Sequence, residues 1–503
     1  MGSIRLHGLL DCLDVLELAG SGNTVLSIHG IASDSRKVAD GFLFIAVQGF
    51  ETDGHRYIDE AVRNGAGVVV CEKVPDNLHE EVVYVAVPDS RAAMARIAKR
   101  FYRDIADTLD IIGVTGTNGK TTTARLMAAV MNDCGICTGY IGTGLAMAGG
   151  ETIPLDRTTP EAEDLHRLFA MMAERGCTAV VMEVSSHALV LQRTHGIGFR
   201  GAVFTNLTQD HLDFHRTMED YARAKRMLFG SIRPGGFAVV NADDPWAETM
   251  ADNRGDAALL CCSVGQSVFN CTGGVVLQAD VVSADMEKSV VHIGSGENRI
   301  TAAFRLPGLY NVMNMLEVFA ASTTMGLQPG MVVRSLEQAG PVEGRMEIVS
   351  GEEDGCSVVV DYAHTPDALE KVLGTLRELG QPGSRLAVVF GCGGNRDRKK
   401  RPKMGKAASN GADSIIITSD NPRDEEPGTI LDDITRGISV SLFMRIADRA
   451  EAIRCGVNLM KDGDILLVAG KGHEAYQETA GHRRHFSDRE IAQSVLRQRK
   501  LGN

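Results

Sequence analysis

No apolar run in this sequence is long enough to span a bilayer. The opening residues Met1-Gly2-Ser3-Ile4-Arg5 lead into no apolar stretch of the kind that directs export. Position 6 is Leu6, which departs from the myristoylation pattern. Basic excess is missing too. The 52 Lys and Arg against 65 Asp and Glu give a net charge of −13. That argues against a general nucleic-acid binder and leaves room only for a local basic patch. The 11 cysteines are odd in number and scattered, so no disulfide framework is expected. Reduced thiols in the cytoplasm are the expectation. Cys134-Gly135-Ile136-Cys137 is a lone pair with no second pair placed to complete a zinc site. Short-period repeats and low-complexity segments are absent.

What is present is an ordinary globular composition, 44% hydrophobic and 23% charged, over 503 residues. At about 100–200 residues per domain, that length points to three domains or four. Strand and helix signals alternate through most of the chain, which predicts α/β architecture. The divisions fall near 1–105, 106–340 and 341–503.

The most informative stretch is Ile111 to Thr122. A short apolar run, read as a buried strand, enters Gly116-Thr117-Asn118-Gly119-Lys120-Thr121-Thr122, and a helical pattern follows through Met131. Strand, Gly turn and helix N-terminus form a phosphate cradle. Backbone N–H groups favour an anion, Lys120 reaches the terminal phosphates of ATP, and the Thr121 hydroxyl suits Mg²⁺. The spacing is one residue off the generic motif, because the first glycine stands at Gly113.

Two further apolar runs end in polar groups. Ala179–Met182 leads into Glu183-Val184-Ser185-Ser186-His187, and Gly201–Phe204 leads through Asn206 to Asp210-His211. An open α/β sheet binds ligands at such carboxyl ends. Glu183 and His211 can each supply a Mg²⁺ ligand there, or serve as a turn cap and a loop partner. Lys225, in a helical pattern from Thr217 to Phe229, reads on its own as a solvated lysine. Ala32-Ser33-Asp34-Ser35-Arg36 reads as a surface loop. The stretch from about 257 to 305 reads as an antiparallel flank.

In the last third, four buried runs are each followed by a polar segment: Asp361-Tyr362-Ala363-His364, Gly391 to Arg398, Asp420-Asn421-Pro422-Arg423 and Gly470-Lys471-Gly472-His473-Glu474. Solvated loops explain one such cluster more easily than four in one sheet. A second doubly wound, Rossmann-like sheet with ligand-facing loops is therefore expected. The fold class is α/β in three domains, a central P-loop sheet with a β flank between an N-terminal and a C-terminal domain.

These residues, together with Asn311, Asn314 and Gly344-Arg345, resemble the Mur ligase family, the ATP-dependent amide ligases of peptidoglycan precursor synthesis. The resemblance runs the length of the chain. It implies that ATP phosphorylates a substrate carboxylate and that an amine then displaces phosphate from the acyl phosphate. Asp420-Asn421-Pro422-Arg423 is the form associated with meso-diaminopimelate as the amine, added to the D-Glu γ-carboxylate of UDP-N-acetylmuramoyl-L-Ala-D-Glu.

By the same resemblance, Lys120, Glu183, His211 and Lys225 serve catalysis. Thr121, Glu183, His211 and Lys225 surround Mg²⁺, with Lys225 carrying a CO₂-derived carbamate. Asn311, Arg345, Asp361 and His364 meet the nucleotide beside the P-loop. Ser33 and Ser35 hold the UDP group, and Thr158, Thr159, Ser185 and Arg193 meet the muramoyl peptide. Phe50-Glu51 stands where relatives often read His-Gln. Arg396, Asp420, Asn421, Pro422, Arg423, Gly470 and Glu474 take the amino acid. Small-molecule substrates, a monomer, and no nucleic-acid or membrane partner complete the expectation. A folylpolyglutamate-type ligase and an ATP-gated binding module are the competing readings. The separate N-terminal domain and the four polar strand ends argue against them.

Overall fold

The computed structural model describes residues 3–20, 25–49, 52–265, 267–295, 298–439 and 443–502. Met1, Gly2, Phe50 and Glu51 lie outside the described residues. Three large sheets follow one another along the chain.

The first has five strands. Gly30–Ala32, Phe42–Ile45, Ala66–Cys71 and Val83–Ala86 run parallel, and Glu17–Ala19 closes the edge antiparallel. The helix Ser90–Phe101 covers one face. It starts at Asp89, whose carboxylate accepts from Arg91 N at 2.9 Å and Ala92 N at 3.0 Å.

The central sheet has eleven strands. The strand Asp110–Thr115 lies in its parallel middle, between Ala179–Glu183 and Phe199–Phe204. The chain next builds strands to one side of it and then crosses to Phe199–Phe204 on the other, so its carboxyl end is a switch point. Register places Glu183 beside Val114 and Phe204 beside Thr115. Helices Lys120–Asp133 and Leu309–Thr324 pack on one face, and Ala162–Glu174 and Met218–Phe229 on the other.

The 257–305 stretch corrects the expectation of an antiparallel flank in part. Ala258–Ser263 and Val275–Ala284 continue the parallel sheet, and only Ser289–Ser295 and Asn298–Phe304 run antiparallel. The cysteine expectation is corrected as well. Cys261, in the strand Ala258–Ser263, is disulfide-bonded to Cys271, because the connection to the next strand brings their Cα atoms to 6.2 Å. Gly135, at φ +91°, follows the end of the helix Lys120–Asp133. Beyond it, Cys137 meets Cys177, with the two sulfurs 3.4 Å apart.

The third sheet has Ser357–Asp361, Ile465–Ala469, Leu386–Phe390, Ser414–Ile417 and Phe443–Arg445 in parallel, with Glu347–Ile348 antiparallel at its edge. Asp361 and Phe390 both sit level with Ala469, so the loops after these strands emerge together. Among the described residues no helix is long and apolar enough to cross a membrane.

Candidate active site

The phosphate loop is held by backbone that only glycine adopts easily. Gly119 has φ +84°, and a Cβ there would lie 2.6 Å from Asn314 Oδ1. Lys120 folds back over the loop and donates to the carbonyls of Gly116 at 2.9 Å and Thr117 at 2.8 Å. Thr117 Oγ1 donates to Thr208 O, and Asn118 N donates to Asn206 Oδ1. Thr121 Oγ1 lies 3.0 Å from both carboxylate oxygens of Glu183. Glu183 is fully buried and also receives Tyr140 Oη at 2.8 Å and Thr143 N at 2.9 Å.

Lys225 is not the solvated lysine that its pattern suggested. It is 1% exposed, and its Nζ donates to Gly116 O at 2.7 Å. Burial, and then the neighbouring Lys120, push its pKa well below the ordinary lysine value, with Asp210 opposing. Lys120 is lowered as well, chiefly by burial, with Glu183 opposing. His211 sits in the left-handed region at φ +53°, its Nε2 3.4 Å from Asp210 Oδ2 and its ring 4.8 Å from that of His187. Among the described residues no group of three or more His, Cys, Asp or Glu side chains is arranged to hold a metal by itself.

A cavity opens between the P-loop and the third sheet. Asn118, Gly119 and Thr122 line one side, with Asn311 and Asn314 from the helix Leu309–Thr324; Arg345, Asp361 and Tyr362 line the other. His364 lies outside this lining, with Nδ1 2.9 Å from Tyr362 O. Arg345 Nη2 donates to Thr121 Oγ1 at 3.1 Å, and its guanidinium stands 4.4 Å over the Tyr362 ring. Asp361 accepts from Met346 N and Ala363 N, both at 2.7 Å. Burial raises its pKa, with Arg345 opposing.

Thr158, Thr159, Ser185 and Arg193 gather around Glu183. Thr158 and Thr143 hydroxyls are 3.1 Å apart, Thr159 Oγ1 donates to Glu183 O at 2.9 Å, and Ser185 N donates back to Thr159 Oγ1 at 3.1 Å. Arg193 Nη1 donates to Thr159 O at 3.0 Å, and its Nη2 is 2.9 Å from Glu161. Ser33 and Ser35 are not brought here. Ser33 Oγ donates to Glu163 at 3.0 Å, and Ser35 is buried against Glu60 at 2.9 Å. The segment around them forms the short 3-10 helix Ser35–Lys37, capped by Asp34, where the sequence reads as a loop. A second, more open cavity is lined instead by Gln48, Gly49, Glu72, Asp89, Arg91 and Gln192.

In the third sheet, Asn421 Nδ2 donates to Glu474 Oε2 at 3.0 Å, and Tyr362 Oη donates to Glu474 Oε1 at 3.3 Å. Asp420 is buried; despite that burial, Lys471 and then Arg449 hold its carboxyl below the usual range. Gly470, at φ +119°, lets the chain pass close to it, since a Cβ would sit 2.9 Å from Asp420 Oδ2. The following Pro422 is buried, and the next residue, Arg423, sends Nη1 to Gly394 O at 2.7 Å. Arg396, which is exposed, flanks the same turn, with a Cβ on Gly393 meeting both arginine side chains. Tyr140 and Tyr310 lie outside the sequence motifs; Tyr310 lines the cavity beside Asn311. Lys471 stands inside the polar segment 470–474, but no sequence signal tied it to Asn421.

The Mur ligase family's catalytic domain matches residues 27–102, its middle domain 114–322, and its glutamate ligase domain 344–472. The chain is 50% identical over 497 residues to a UDP-N-acetylmuramoyl-L-alanyl-D-glutamate–2,6-diaminopimelate ligase of Chlorobaculum tepidum, covering 99% of this chain and 98% of that protein. The chain belongs to the Mur ligase family. A protein of the same name from Chlorobium phaeobacteroides is 51% identical over 506 residues, covering 99% and 98%. A solved structure of a ligase with that name superposes with a TM-score of 0.67 at 31% identity, covering 99% of both chains. The MurF ligase of Thermotoga maritima, solved with ADP, shares the fold at TM-score 0.63 and 18% identity, covering 93% of this chain and 98% of that one. Within this Mur ligase, Tyr362 lines the cavity with Asn118, Gly119 and Thr122 of the cradle and also reaches Glu474 of the third sheet.

Proposed function

We propose that this Mur ligase joins meso-diaminopimelate to the D-Glu γ-carboxylate of UDP-N-acetylmuramoyl-L-Ala-D-Glu. In this reading it works as a cytoplasmic monomer built from units 1–105, 106–340 and 341–503. The observation that carries the reading is Tyr362. Its ring underlies Arg345, which donates to Thr121 of the phosphate loop, and its hydroxyl donates to Glu474. One residue thus joins a nucleotide cradle to a pocket suited to an amino acid.

In this reading the nucleotide lies against Asn311, Arg345, Asp361 and His364, with its phosphates on Gly116–Thr122. The muramoyl peptide meets Thr158, Thr159, Ser185 and Arg193, and its UDP group meets the first sheet near Ser33 and Ser35. The γ-carboxylate oxygen attacks the terminal phosphorus, the bond to ADP breaks, and an acyl phosphate forms. Lys120, released from the loop carbonyls, counters charge on the transferring group. The amine then attacks the acyl carbon and loses a proton, and the tetrahedral adduct expels inorganic phosphate. Positioning does most of the work.

The donor set suits Mg²⁺. The Thr121 hydroxyl and the buried Glu183 carboxylate are hard oxygens, a carbamate on Lys225 would add another, and His211 would help hold a second ion. Mg²⁺ ordinarily takes one or two carboxylates and completes its shell with phosphates and water. When bound, it neutralises phosphate charge. Carbamylation needs a neutral amine to attack CO₂, and the depressed pKa of Lys225 favours that form.

The amino acid is recognised by Arg396, Asp420-Asn421-Pro422-Arg423, Gly470 and Glu474. Meso-diaminopimelate carries a carboxylate at its far end, which lysine lacks. An arginine fork grips such a group through two bonds. Phosphate release with Mg-ATP and the UDP-linked dipeptide tests the proposal. Release with meso-diaminopimelate alone supports it. Release with L-lysine instead overturns the specificity, and no release with either overturns the reaction.

A further inference from the structure

The amino-acid pocket draws Asn421 from the turn after Ser414–Ile417 and Glu474 from the turn after Ile465–Ala469. These strands are not neighbours, since Leu386–Phe390 runs between them. The fold of either turn alone therefore does not set the distance between the two side chains. Lys471 does. It is fully buried, and its Nζ donates to Asn421 Oδ1 at 3.1 Å and to Glu474 Oε2 at 3.2 Å. Asn421 Nδ2 donates to the same Glu474 oxygen at 3.0 Å, so the three groups close a triangle. Asp420 Oδ1 stands 3.9 Å from the ammonium, and the Tyr476 ring 5.3 Å.

This arrangement has two consequences. Asn421 Oδ1 is engaged by the ammonium and by Glu478 N at 3.0 Å, so its amide nitrogen must face Glu474. Glu474 is pinned through Oε2, and its other oxygen takes the longer contact from Tyr362 at 3.3 Å. A buried ammonium costs desolvation that a methionine of similar length would not. Its contacts all go to the flanks of the pocket, which is what a group retained for orientation would show.

We propose that Lys471 is a positioning residue for the incoming amino acid. It holds Asn421 and Glu474 in mutual register and sets affinity for the amine substrate without touching it. This rests on the reading of the pocket as the amino-acid site.

The test is steady-state kinetics of the full chain carrying Lys471→Met, varying each substrate in turn. The KM for meso-diaminopimelate rises by roughly 10- to 100-fold, the scale of charge-assisted hydrogen bonds. The KM values for ATP and the UDP-linked dipeptide stay within about twofold, and kcat at saturating amine changes little. A merely structural role would move the ATP constant too, because Arg345 and Asp361 belong to the same sheet region. An unchanged amine KM, or an equal loss for all three substrates, overturns the proposal. Lys471→Gln is measured alongside as the milder change. It keeps a donor for one oxygen, so a smaller rise in the same constant is expected, and no rise overturns the proposal. Arg423→Ala separates the two levels of inference. If neither it nor the Lys471 variants move the amine KM, the amino-acid site itself is misassigned. If only Arg423→Ala does, the role of Lys471 alone fails.

Discussion

The Nζ of Lys225 lies 2.7 Å from the carbonyl oxygen of Gly116, which ties the helix Met218–Phe229 to the first turn of the phosphate loop. Lys120, half-buried, donates to that same oxygen, so two amino groups crowd one acceptor beside the buried Lys225. Burial pushes both toward the neutral form, Lys225 the further of the two. Incubation with isotope-labelled bicarbonate is therefore expected to give a carbamate carbon NMR signal that Lys225→Met abolishes. Turnover in that variant falls by at least about 100-fold, the scale of losing one group that stabilises developing charge. A parent protein without the signal would remove the carbamate from the mechanism.

Gly119→Ala tests the loop itself. The residue sits at φ +84°, and a Cβ would press on Asn314 Oδ1 at 2.6 Å. The left-handed conformation alone costs a non-glycine residue about 1–2 kcal/mol. The expected result is a lower thermal midpoint and a loss of nucleotide affinity. Unaltered ATP binding would show that the loop tolerates rearrangement.

The phosphate loop was legible because its chemistry is local: glycines, Lys-Thr, and a strand and helix on either side. The parallel strands of the third sheet were legible as buried apolar runs. Lys225 was misread in isolation, although the pattern held a clue. Tyr221, Lys225, Leu228 and Phe229 recur at the spacing of one helix face, and all four are buried. Lys471 stood in a polar strand-end segment, but its tie to Asn421 was not legible because that partner lies 50 residues away. The Cys261–Cys271 bond depends on where the chain turns between two strands, which composition does not report. Ser33 carried no sign that its hydroxyl would meet Glu163 in the helix Ala162–Glu174.

That Ser33–Glu163 contact carries a pH dependence. Burial raises the Glu163 pKa from 4.5 to about 7, with the Ser33 hydrogen bond opposing. The folded state thus holds a proton that the unfolded chain has already lost across that window. Stability falls as pH rises through it, and the full cost, about 3 kcal/mol, is present above the folded pKa. Glu163→Gln removes the charge and keeps an acceptor for Ser33. Denaturant unfolding is expected to find the variant more stable than the parent at about pH 8.5, with the gap narrowing toward about pH 5. A gap that does not change with pH would mean that Glu163 ionises without penalty.

In the proposed reading Arg423 carries the choice of amine. Its backbone is fixed at φ +53° by Glu478 O, which accepts from Arg423 N at 3.1 Å, and by Ala480 N, which donates to Arg423 O at 2.7 Å. Of its five guanidinium protons, one goes to Gly394 O at 2.7 Å. A fork held in this way can take a carboxylate by two parallel bonds, and an arginine left facing lysine's ammonium would reject it. Arg423→Ala is therefore expected to lower kcat/KM for meso-diaminopimelate by roughly 10- to 100-fold while the ATP constant holds. L-Lysine loses nothing by the change and gains relief from a like charge, so discrimination between the two amines narrows from both directions. Competition assays with both amines present read that ratio directly. If it stays where it was, the far carboxylate is gripped elsewhere, and Arg396 on the other side of the Gly393 turn becomes the residue to change next.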